Sequence, residues 1–247
     1  MRSELRATAL GRVGYLDGWR LQEAVASRLA AGGPERLLLL EHDSVYTIGR
    51  RGTLDHLTAS PSELRAAGAS VYRVDRGGDI TYHGPGQLVG YPILSIGPSP
   101  DVVAYVRALE DGLRAALADF GIAARTIEGK TGVWVELADG RNAKVAAIGV
   151  RVSRGVTRHG FALNVDTDLA AFGRMVPCGF MHEVASFAGL GIAASVADVA
   201  RVCATRLAER LDRALVWDAT VMEPRDDEIA ADAPVRRAED LLAAAAA

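Results

Sequence analysis

The sequence predicts an α/β (α+β) fold in which a mixed β-sheet is flanked by helices. Of the 247 residues, 49% are apolar, which is enough to bury a full core at this length. Short apolar runs typical of strands are mixed with longer amphipathic runs typical of helices. These runs follow one another as hairpins and single helices, without the regular strand–helix alternation that indicates a purely parallel sheet.

Helices are predicted where a capping residue precedes an amphipathic run. Asp17 is placed to cap the first helix, and Ser60 and Glu63 form a capping box for a second, short one. A long amphipathic helix starts at Pro100 or Asp101 and stops at Gly121, and the last helix starts at Ser195. The predicted helices cover residues 18–31, 61–67, 101–120 and 195–211.

Strands are predicted from short runs rich in leucine, valine and isoleucine. The run Leu37–Leu40 is too short to span a membrane and is typical of a buried strand. Asp139 and Gly140 form a hairpin signal between two later strands. The predicted strands cover residues 36–41, 45–48, 71–74, 86–96, 122–127, 132–137, 145–152 and 156–165.

Composition divides the chain and excludes several classes of protein. Residues 223–247 contain seven acidic residues and three arginines; we expect them to be a disordered, alanine-rich tail after a single domain at 1–222. The near-neutral body argues against nucleic-acid binding. No apolar run is long enough for a membrane span, and the N-terminus lacks a secretory signal. With two cysteines only, a disulfide framework is not expected, and we predict a reducing, cytoplasmic location.

The segment R-G-G-D-I-T-Y-H-G-P-G-Q-L at residues 76–88 is the strongest candidate for a ligand-binding loop. It holds four glycines among polar side chains. Glycine lets backbone N–H groups approach a ligand closely. A structural hairpin needs fewer glycines, so we favour a ligand loop, with Arg76 and His83 as polar groups that close over the ligand.

The chain contains 26 arginines and only two lysines, Lys130 and Lys144. Lysine can release a proton in a protein, whereas arginine cannot. Lys144 opens the apolar run 145–150, so we predict a functional lysine at the mouth of a buried strand. Lys130 lies near a hairpin in an incomplete P-loop pattern, and we interpret it as an ordinary loop lysine.

The two cysteines differ in their surroundings. Cys178 lies between a proline and a glycine in V-P-C-G-F, as expected for an irregular turn where a thiol can be reactive. Cys203 falls on the apolar face of the last predicted helix, where cysteine behaves as a small inert hydrophobe. Cys178 is therefore the candidate nucleophile.

Taken together, several motifs resemble the lipoate-protein octanoyltransferases. They are the segment at 76–88, A-K-V-A-A-I-G at 143–149, H-G-F-A-L-N-V at 159–165 and P-C-G at 177–179. The segments E-H-D-S-V-Y-T-I-G at 41–49 and T-G-V-W-V at 131–135 fit as well. The resemblance covers residues 35–180 and leaves the tail unmatched.

The resemblance implies the fold of the biotin and lipoate protein ligases, and transfer of an octanoyl group from octanoyl-acyl carrier protein to a lysine of a lipoyl domain. It implies as acceptors the lipoyl domains of 2-oxoacid dehydrogenase complexes and the glycine cleavage H protein. The catalytic pair matches Cys178 and Lys144. The acyl-binding residues match Arg76, Gly77, Gly78, Asp79, Ile80, Thr81, Tyr82, His83, Ala147, Ile148, Gly149, Gly160, Phe161 and Ala162.

The residue chemistry is consistent with two-step transfer through a cysteine thioester. Lys144 as ammonium favours the thiolate, and after losing a proton it acts as a base toward the acceptor amine. No metal, nucleotide or other cofactor is expected, since a thioester is already activated. We expect a monomer, an apolar wall that includes Ile80, Val145, Ile148 and Phe161, and a basic rim of Arg50, Arg51 and Arg76 for the acidic carrier.

Two alternatives remain open at this stage. One is an ATP-dependent lipoate-protein ligase of the same fold, which makes an acyl-adenylate and needs no cysteine. The other is a binding module for acyl groups or lipoyl domains that performs no chemistry.

Overall fold

A computed structural model of the chain describes residues 2–176, 183–220, 223–229 and 236–237. Within these residues the helices are α1 (Tyr15–Ala30), α2 (Pro61–Ala66), α3 (Val102–Asp119) and α4 (Val196–Arg210). The strands are β1 (Ser3–Val13), β2 (Glu35–His42), β3 (Val45–Ile48), β4 (Ser70–Arg73), β5 (Ile80–His83), β6 (Gln87–Ile93), β7 (Ala124–Ile127), β8 (Lys130–Glu136), β9 (Asn142–Ser153), β10 (Val156–Asn164), β11 (Glu183–Val184), β12 (Arg213–Trp217) and β13 (Arg236–Arg237).

The larger sheet is mixed and has nine strands among the described residues. Its order is β12-β1-β2-β6-β10-β9-β8-β7, and β11 pairs with β9. The pairs of β1 with β12 and β2, and of β11 with β9, are parallel. The pairs from β2 through β7 are antiparallel. The predicted class, a mixed sheet flanked by helices, is confirmed.

Helices cover both faces of this sheet, which explains the unbroken run Leu37–Leu40 in β2. Successive side chains of a strand point to opposite faces. Leu37 and Leu39 pack into the core that includes residues of α3 and α4. Leu38 and Leu40 pack against α1 on the opposite face. All four leucines are buried, so the run needs no alternation with polar residues.

The smaller sheet contains the middle of the predicted ligand loop, residues 80–83. Its order is β13-β4-β3-β5, with β3 antiparallel to β5 and parallel to β4. The sequence predicted an irregular loop over residues 76–88. The structure instead has a loop at 76–79 followed by β5, in which Ile80 packs with Tyr46 and Ile48 of β3.

The predicted capping box at Ser60 is confirmed, and Asp101 and Ser195, predicted as helix starts, are the N-caps directly before α3 and α4. The side chains of Ser60, Asp101 and Ser195 each accept a bond from a backbone N–H of the first turn. The fourth prediction is wrong, because α1 begins earlier, with Gly14 as its N-cap and Asp17 inside its first turn. Strands β1 and β12 were not predicted.

Parts of the predicted tail contact the body of the protein. The carboxylate of Glu228 accepts bonds of 2.6 and 2.7 Å from Arg28 of α1, and its side chain is 4% exposed. Strand β13 pairs with β4 at the edge of the smaller sheet. The division at residue 222 and the disorder of the remaining tail stay predictions.

No helix in the described part of the chain is both long and apolar enough to cross a bilayer.

Candidate active site

A cavity of about 570 Å³ lies where the two sheets meet, with walls from both. It brings together three segments that are distant in sequence: the loop and strand at 76–83, the middle of β9, and β10. Thirteen of the predicted acyl-binding residues line it, namely Arg76, Gly77, Gly78, Asp79, Ile80, Thr81, His83, Ala147, Ile148, Gly149, Gly160, Phe161 and Ala162.

Two residues assigned to the cavity from the sequence lie elsewhere. Tyr82 points to the opposite side of β5, where its ring lies 5.2 Å from Tyr46 and its hydroxyl lies 3.1 Å from the Ser44 hydroxyl. Val145 is fully buried in the core under α3 and α4. Tyr82 lies between Thr81 and His83, which line the cavity, and neighbouring residues in a strand face opposite sides. Val145 is the extra residue of a bulge in β9, and with Ala146 it packs into the core.

Backbone hydrogen bonds hold the glycine loop between two other segments. The N–H groups of Arg50 and Arg51 donate to the carbonyls of Arg76 and Gly78, at 3.0 and 3.1 Å. On the other side, Gly77 donates to Val150 of β9 at 2.9 Å. Gly78 has φ of +87°, a conformation that L-residues other than glycine rarely adopt. The loop conformation therefore depends on glycine at this position.

The Arg76 side chain is buried, so its assignment to an exposed basic rim is wrong. Its guanidinium donates to the Thr47 carbonyl at 2.6 Å, the Thr47 hydroxyl at 2.8 Å and the Gly77 carbonyl at 3.0 Å. Burial lowers the pKa of this guanidinium. Arg76 thus fixes the loop from inside, whereas Arg50 and Arg51 are exposed and Arg51 lines the cavity.

Polar residues form one wall of the cavity in a connected network. The amide nitrogen of Gln87 donates to Asn164 at 2.9 Å and to the Tyr82 carbonyl at 3.2 Å. Its amide oxygen therefore accepts from Nδ1–H of His83, at 2.8 Å. Burial lowers the pKa of His83 to about 3, so the imidazole is neutral at pH 7. Sequence reasoning missed Gln87 and Asn164, although both stand in the quoted motifs.

A second buried group lies behind this wall. Nδ1–H of His42 donates to the Val13 carbonyl at 2.7 Å, so Nε2 accepts from the Tyr91 hydroxyl at 2.6 Å. Burial lowers the pKa of His42 to about 4. The Tyr15 ring lies 5.0 Å from His42 and 6.3 Å from His83. Tyr15 and Tyr91 line the cavity and were not predicted from the sequence.

Asp75 anchors the start of the glycine loop in a buried cluster of charges. One carboxylate oxygen accepts from Nε2–H of His159 at 2.7 Å. The other accepts from Arg151 at 2.9 Å and Arg158 at 3.0 Å. Buried charges are tolerated when they are paired in this way. The cluster ties the loop to β9 and β10, which form the opposite wall.

Lys144 lines the cavity from β9, as predicted for the functional lysine. Its side chain is half-buried, and its Nζ atom lies 4.7 Å from the centre of the Trp134 ring. Lys130 also lines the cavity, with Nζ at 5.7 Å from the same ring. Lys130 was interpreted as an ordinary loop residue, but it begins β8 and lines the cavity.

A β-bulge where β8 pairs with β9 lies beside the Trp134 ring, and its extra residue is Val145 of β9. The pairing of β8 with β9 shifts between Val133 and Trp134, and Gly132 has φ of +122°. The N–H of Gly132 donates a hydrogen bond of 2.9 Å to the carboxylate of Glu110, a fully buried residue of α3. Nε1–H of Trp134 donates to the Lys130 carbonyl at 3.1 Å. These bonds fix the indole beside Lys144.

Cys178 lies outside the described residues, but the chain on both sides of it reaches the cavity. Met175 and Val184 line the cavity. Val176 donates to the His56 carbonyl at 2.8 Å. On the other side, Val184 pairs with Lys144.

Cys203 is fully buried in α4, and burial raises the pKa of its thiol to about 12. Its predicted position on an apolar helix face is confirmed.

Metal-binding geometry is absent from the part of the chain that the structure describes, where no cluster of three or more His, Cys, Asp or Glu side chains is arranged to hold an ion.

Comparison with known proteins extends the match well beyond the motifs. The model of the family described as "Lipoyl protein ligase A/B catalytic domain" matches residues 14–208. An octanoyltransferase of Mycobacterium ulcerans is 49% identical over 212 residues, covering 83% of this chain and 88% of that protein. An octanoyltransferase of Solibacter usitatus is 50% identical over 192 residues, covering 77% of this chain and 85% of that protein.

Solved structures show the same fold at low sequence identity. A bipartite lipoate protein ligase from Thermoplasma acidophilum, studied with its E2 lipoyl domain, superposes with a TM-score of 0.74 at 17% identity, over 92% of this chain and 90% of that one. A lipoate-protein ligase A bound with ATP gives a TM-score of 0.72 at 17% identity, over 92% of each chain.

Proposed function

We propose that this chain, which belongs to the lipoyl protein ligase A/B catalytic domain family, transfers an octanoyl group from acyl carrier protein to a lysine of lipoyl domains. The chain is an acyltransferase, since relatives of nearly half identical sequence are octanoyltransferases. The resemblance to octanoyltransferases stated from the motifs is confirmed. The donor, the thioester intermediate and the roles of individual residues make up the proposal.

In the first step, the thiolate of Cys178 attacks the carbonyl carbon of the donor thioester. A new S–C bond forms, the bond to the carrier's sulfur breaks, and the carrier thiol leaves with a proton. Two residues of chain span at most about 7 Å, so Cys178 is held close to Val176. The cavity contacts of Met175 and Val184 support this assignment.

Lys144 takes part in both steps by releasing one proton and then taking one up. As an ammonium ion, it stabilises the thiolate of Cys178. In the first step it gives its proton to the departing carrier thiolate and becomes a neutral amine. In the second step, that amine accepts a proton from the acceptor lysine as the acceptor attacks the acyl-enzyme; an N–C bond forms, the C–S bond breaks and Cys178 leaves as a thiolate. The position of Lys144 at the cavity supports this role, because it places the amine beside the site where the acyl group would bind.

The remaining cavity residues bind the acyl group. Ile80, Ile148 and Phe161 supply apolar walls for an eight-carbon chain. Backbone N–H groups of the glycine loop, or of the turn around Cys178, stabilise the oxyanion of the tetrahedral intermediates. A donor of this type is worth about 3–4 kcal/mol in comparable enzymes.

One observation carries the proposal. Lys144 and thirteen predicted acyl-binding residues meet in a single cavity, and residues from both flanks of Cys178 reach the same place. The proposal adds octanoyl-acyl carrier protein as the donor and lipoyl domains as the acceptors, with no nucleotide, since a thioester is already activated. The acceptors proposed are lipoyl domains of 2-oxoacid dehydrogenase complexes and the glycine cleavage H protein, met in the cytoplasm by a monomeric enzyme.

A transfer assay with two donors tests the proposal. Purified enzyme and an apo lipoyl domain are mixed with octanoyl-acyl carrier protein, or with free octanoate, ATP and Mg²⁺. We expect an octanoyl amide on the lipoyl domain with the first donor only. Transfer that requires free octanoate and ATP would identify a ligase, and binding without an amide product would identify a non-catalytic module.

A further inference from the structure

Lys130 has no part in the proposed transfer, yet it lies at the same cavity and the same indole as Lys144. The Nζ atoms of the two lysines lie 5.7 and 4.7 Å from the centre of the Trp134 ring, so they are at most about 10 Å apart. Trp134 itself is 1% exposed. Lys130 is exposed, so its amine is at the solvent side of this indole.

The position of Lys130 is set by the backbone of β8 and not only by its flexible side chain. The Lys130 carbonyl accepts from Nε1–H of Trp134, four residues later. Between them, the N–H of Gly132 donates to the buried carboxylate of Glu110. The backbone of Lys130 is therefore fixed beside the cavity, which keeps the cavity within reach of its flexible side chain.

An acceptor lysine has to bring an exposed amine to an acyl thioester in this cavity, and Lys130 presents such an amine from within the chain. We propose that Lys130 is a self-acylation site, where the enzyme's own acyl thioester is consumed when no acceptor is bound. This inference rests on the proposed function. It adds a modification site that the transfer reaction does not use.

The reaction balances without any further reagent. The neutral amine of Lys130 attacks the thioester carbonyl, an N–C bond forms and the C–S bond breaks. The amine proton passes to the departing thiolate, which regenerates the thiol. Proximity favours such a reaction, because two groups held in one site react at a high effective concentration.

Self-acylation has a consequence for the enzyme. The amide at Lys130 carries no charge and places an eight-carbon chain at the cavity. We expect it to obstruct the next acyl group, so enzyme that is loaded without acceptor loses activity slowly. Lys144 is the only other lysine of the sequence, and the 26 arginines stay protonated and do not act as acyl acceptors.

Hydroxylamine treatment separates the two kinds of acyl bond, since it cleaves thioesters and leaves amides intact. The full chain is incubated with the octanoyl thioester of a small thiol, without acceptor, then treated with hydroxylamine and digested for peptide mass analysis. We expect a hydroxylamine-resistant octanoyl group on the Lys130 peptide. An excess of apo lipoyl domain should lower this labelling at least tenfold.

Two variants serve as matched controls. Lys130→Arg keeps the positive charge and removes the nucleophile, so it should lose the resistant label and keep the hydroxylamine-labile one. Cys178→Ser should lose both. If Lys130 is labelled in Cys178→Ser to the same extent as in the wild-type protein, Lys130 reacts directly with the small octanoyl thioester, and the inference is overturned.

The outcomes also separate this inference from the proposed function. A labile octanoyl group without any resistant label at Lys130 overturns the self-acylation site and leaves the transfer mechanism intact. Complete absence of the labile group overturns the proposed thioester mechanism.

Discussion

Replacing Gly78 with alanine tests whether the glycine loop has to keep its shape around the acyl group. Gly78 has φ of +87°, where an L-residue costs roughly 1–2 kcal/mol. A Cβ atom there would lie 3.4 Å from Nη1 of Arg76, an ordinary contact distance, so the cost is mainly conformational. For a domain of this size, we expect Tm to fall by about 2–8 °C.

The strain should also reduce transfer, because the loop can relieve it only by leaving its position at the cavity. If the same 1–2 kcal/mol opposes the binding-competent loop, kcat/KM for the octanoyl donor falls about 5–30-fold. Gly140→Ala is the matched control. Gly140 has φ of +80° with no atom within 4 Å of an added Cβ, and it lies in the turn between β8 and β9. Differential scanning calorimetry and steady-state kinetics are measured for both variants.

We expect both alanine variants to lose similar stability and only Gly78→Ala to lose transfer. Full transfer by Gly78→Ala, with the expected fall in Tm, would refute the claim that this loop shapes the acyl site.

Three further predictions concern the cations and the buried histidines. Lys144→Arg should be nearly as inactive as Lys144→Ala, because arginine keeps the positive charge but cannot take a proton from the acceptor lysine. If a pH–rate profile shows substantial activity for Lys144→Arg, Lys144 acts only through its charge and is not the base. Added salt should slow transfer from acyl carrier protein more than transfer from a small octanoyl thioester, because exposed charges such as Arg51 are screened over about 8 Å; equal slowing would exclude a basic rim. The free energy of unfolding should fall by about 3 kcal/mol or more as pH drops from 6.5 to 4. His42 takes up a proton near 6.5 when unfolded but only near 4 when folded, and His83, whose pKa in the folded protein is about 3, acts in the same direction; urea midpoints that stay constant over this range would contradict it.

Local sequence signals predicted most elements because they act within a few residues. The capping side chains of Ser60, Asp101 and Ser195 bind the backbone of their own helices, so pattern alone is sufficient. Strand β1 was missed because its sequence, S-E-L-R-A-T-A-L-G-R-V, has no strong apolar run. Its stability comes from parallel pairing with β2 and β12, which are distant in the chain.

The candidate site was predicted in part, for a related reason. Motifs identified which segments carry it, but not which side chain of a strand faces the cavity, as Tyr82 and Val145 show. Motifs also do not show how deeply a side chain is buried, so the buried Arg76 was predicted to lie at the rim of the cavity. Gln87 and Asn164 went unnoticed because neutral amides show their importance only when their hydrogen-bond partners are known.

The most direct test of the central claim is to find where an octanoyl group is attached during transfer. The enzyme is mixed with octanoyl-acyl carrier protein in the absence of nucleotide and acceptor, quenched in acid, and analysed by peptide mass. The account predicts a hydroxylamine-labile octanoyl group on Cys178, none on the buried Cys203, and discharge when apo lipoyl domain is added. Transfer that proceeds at the wild-type rate in Cys178→Ser, or an octanoyl group that never resides on Cys178, would contradict it.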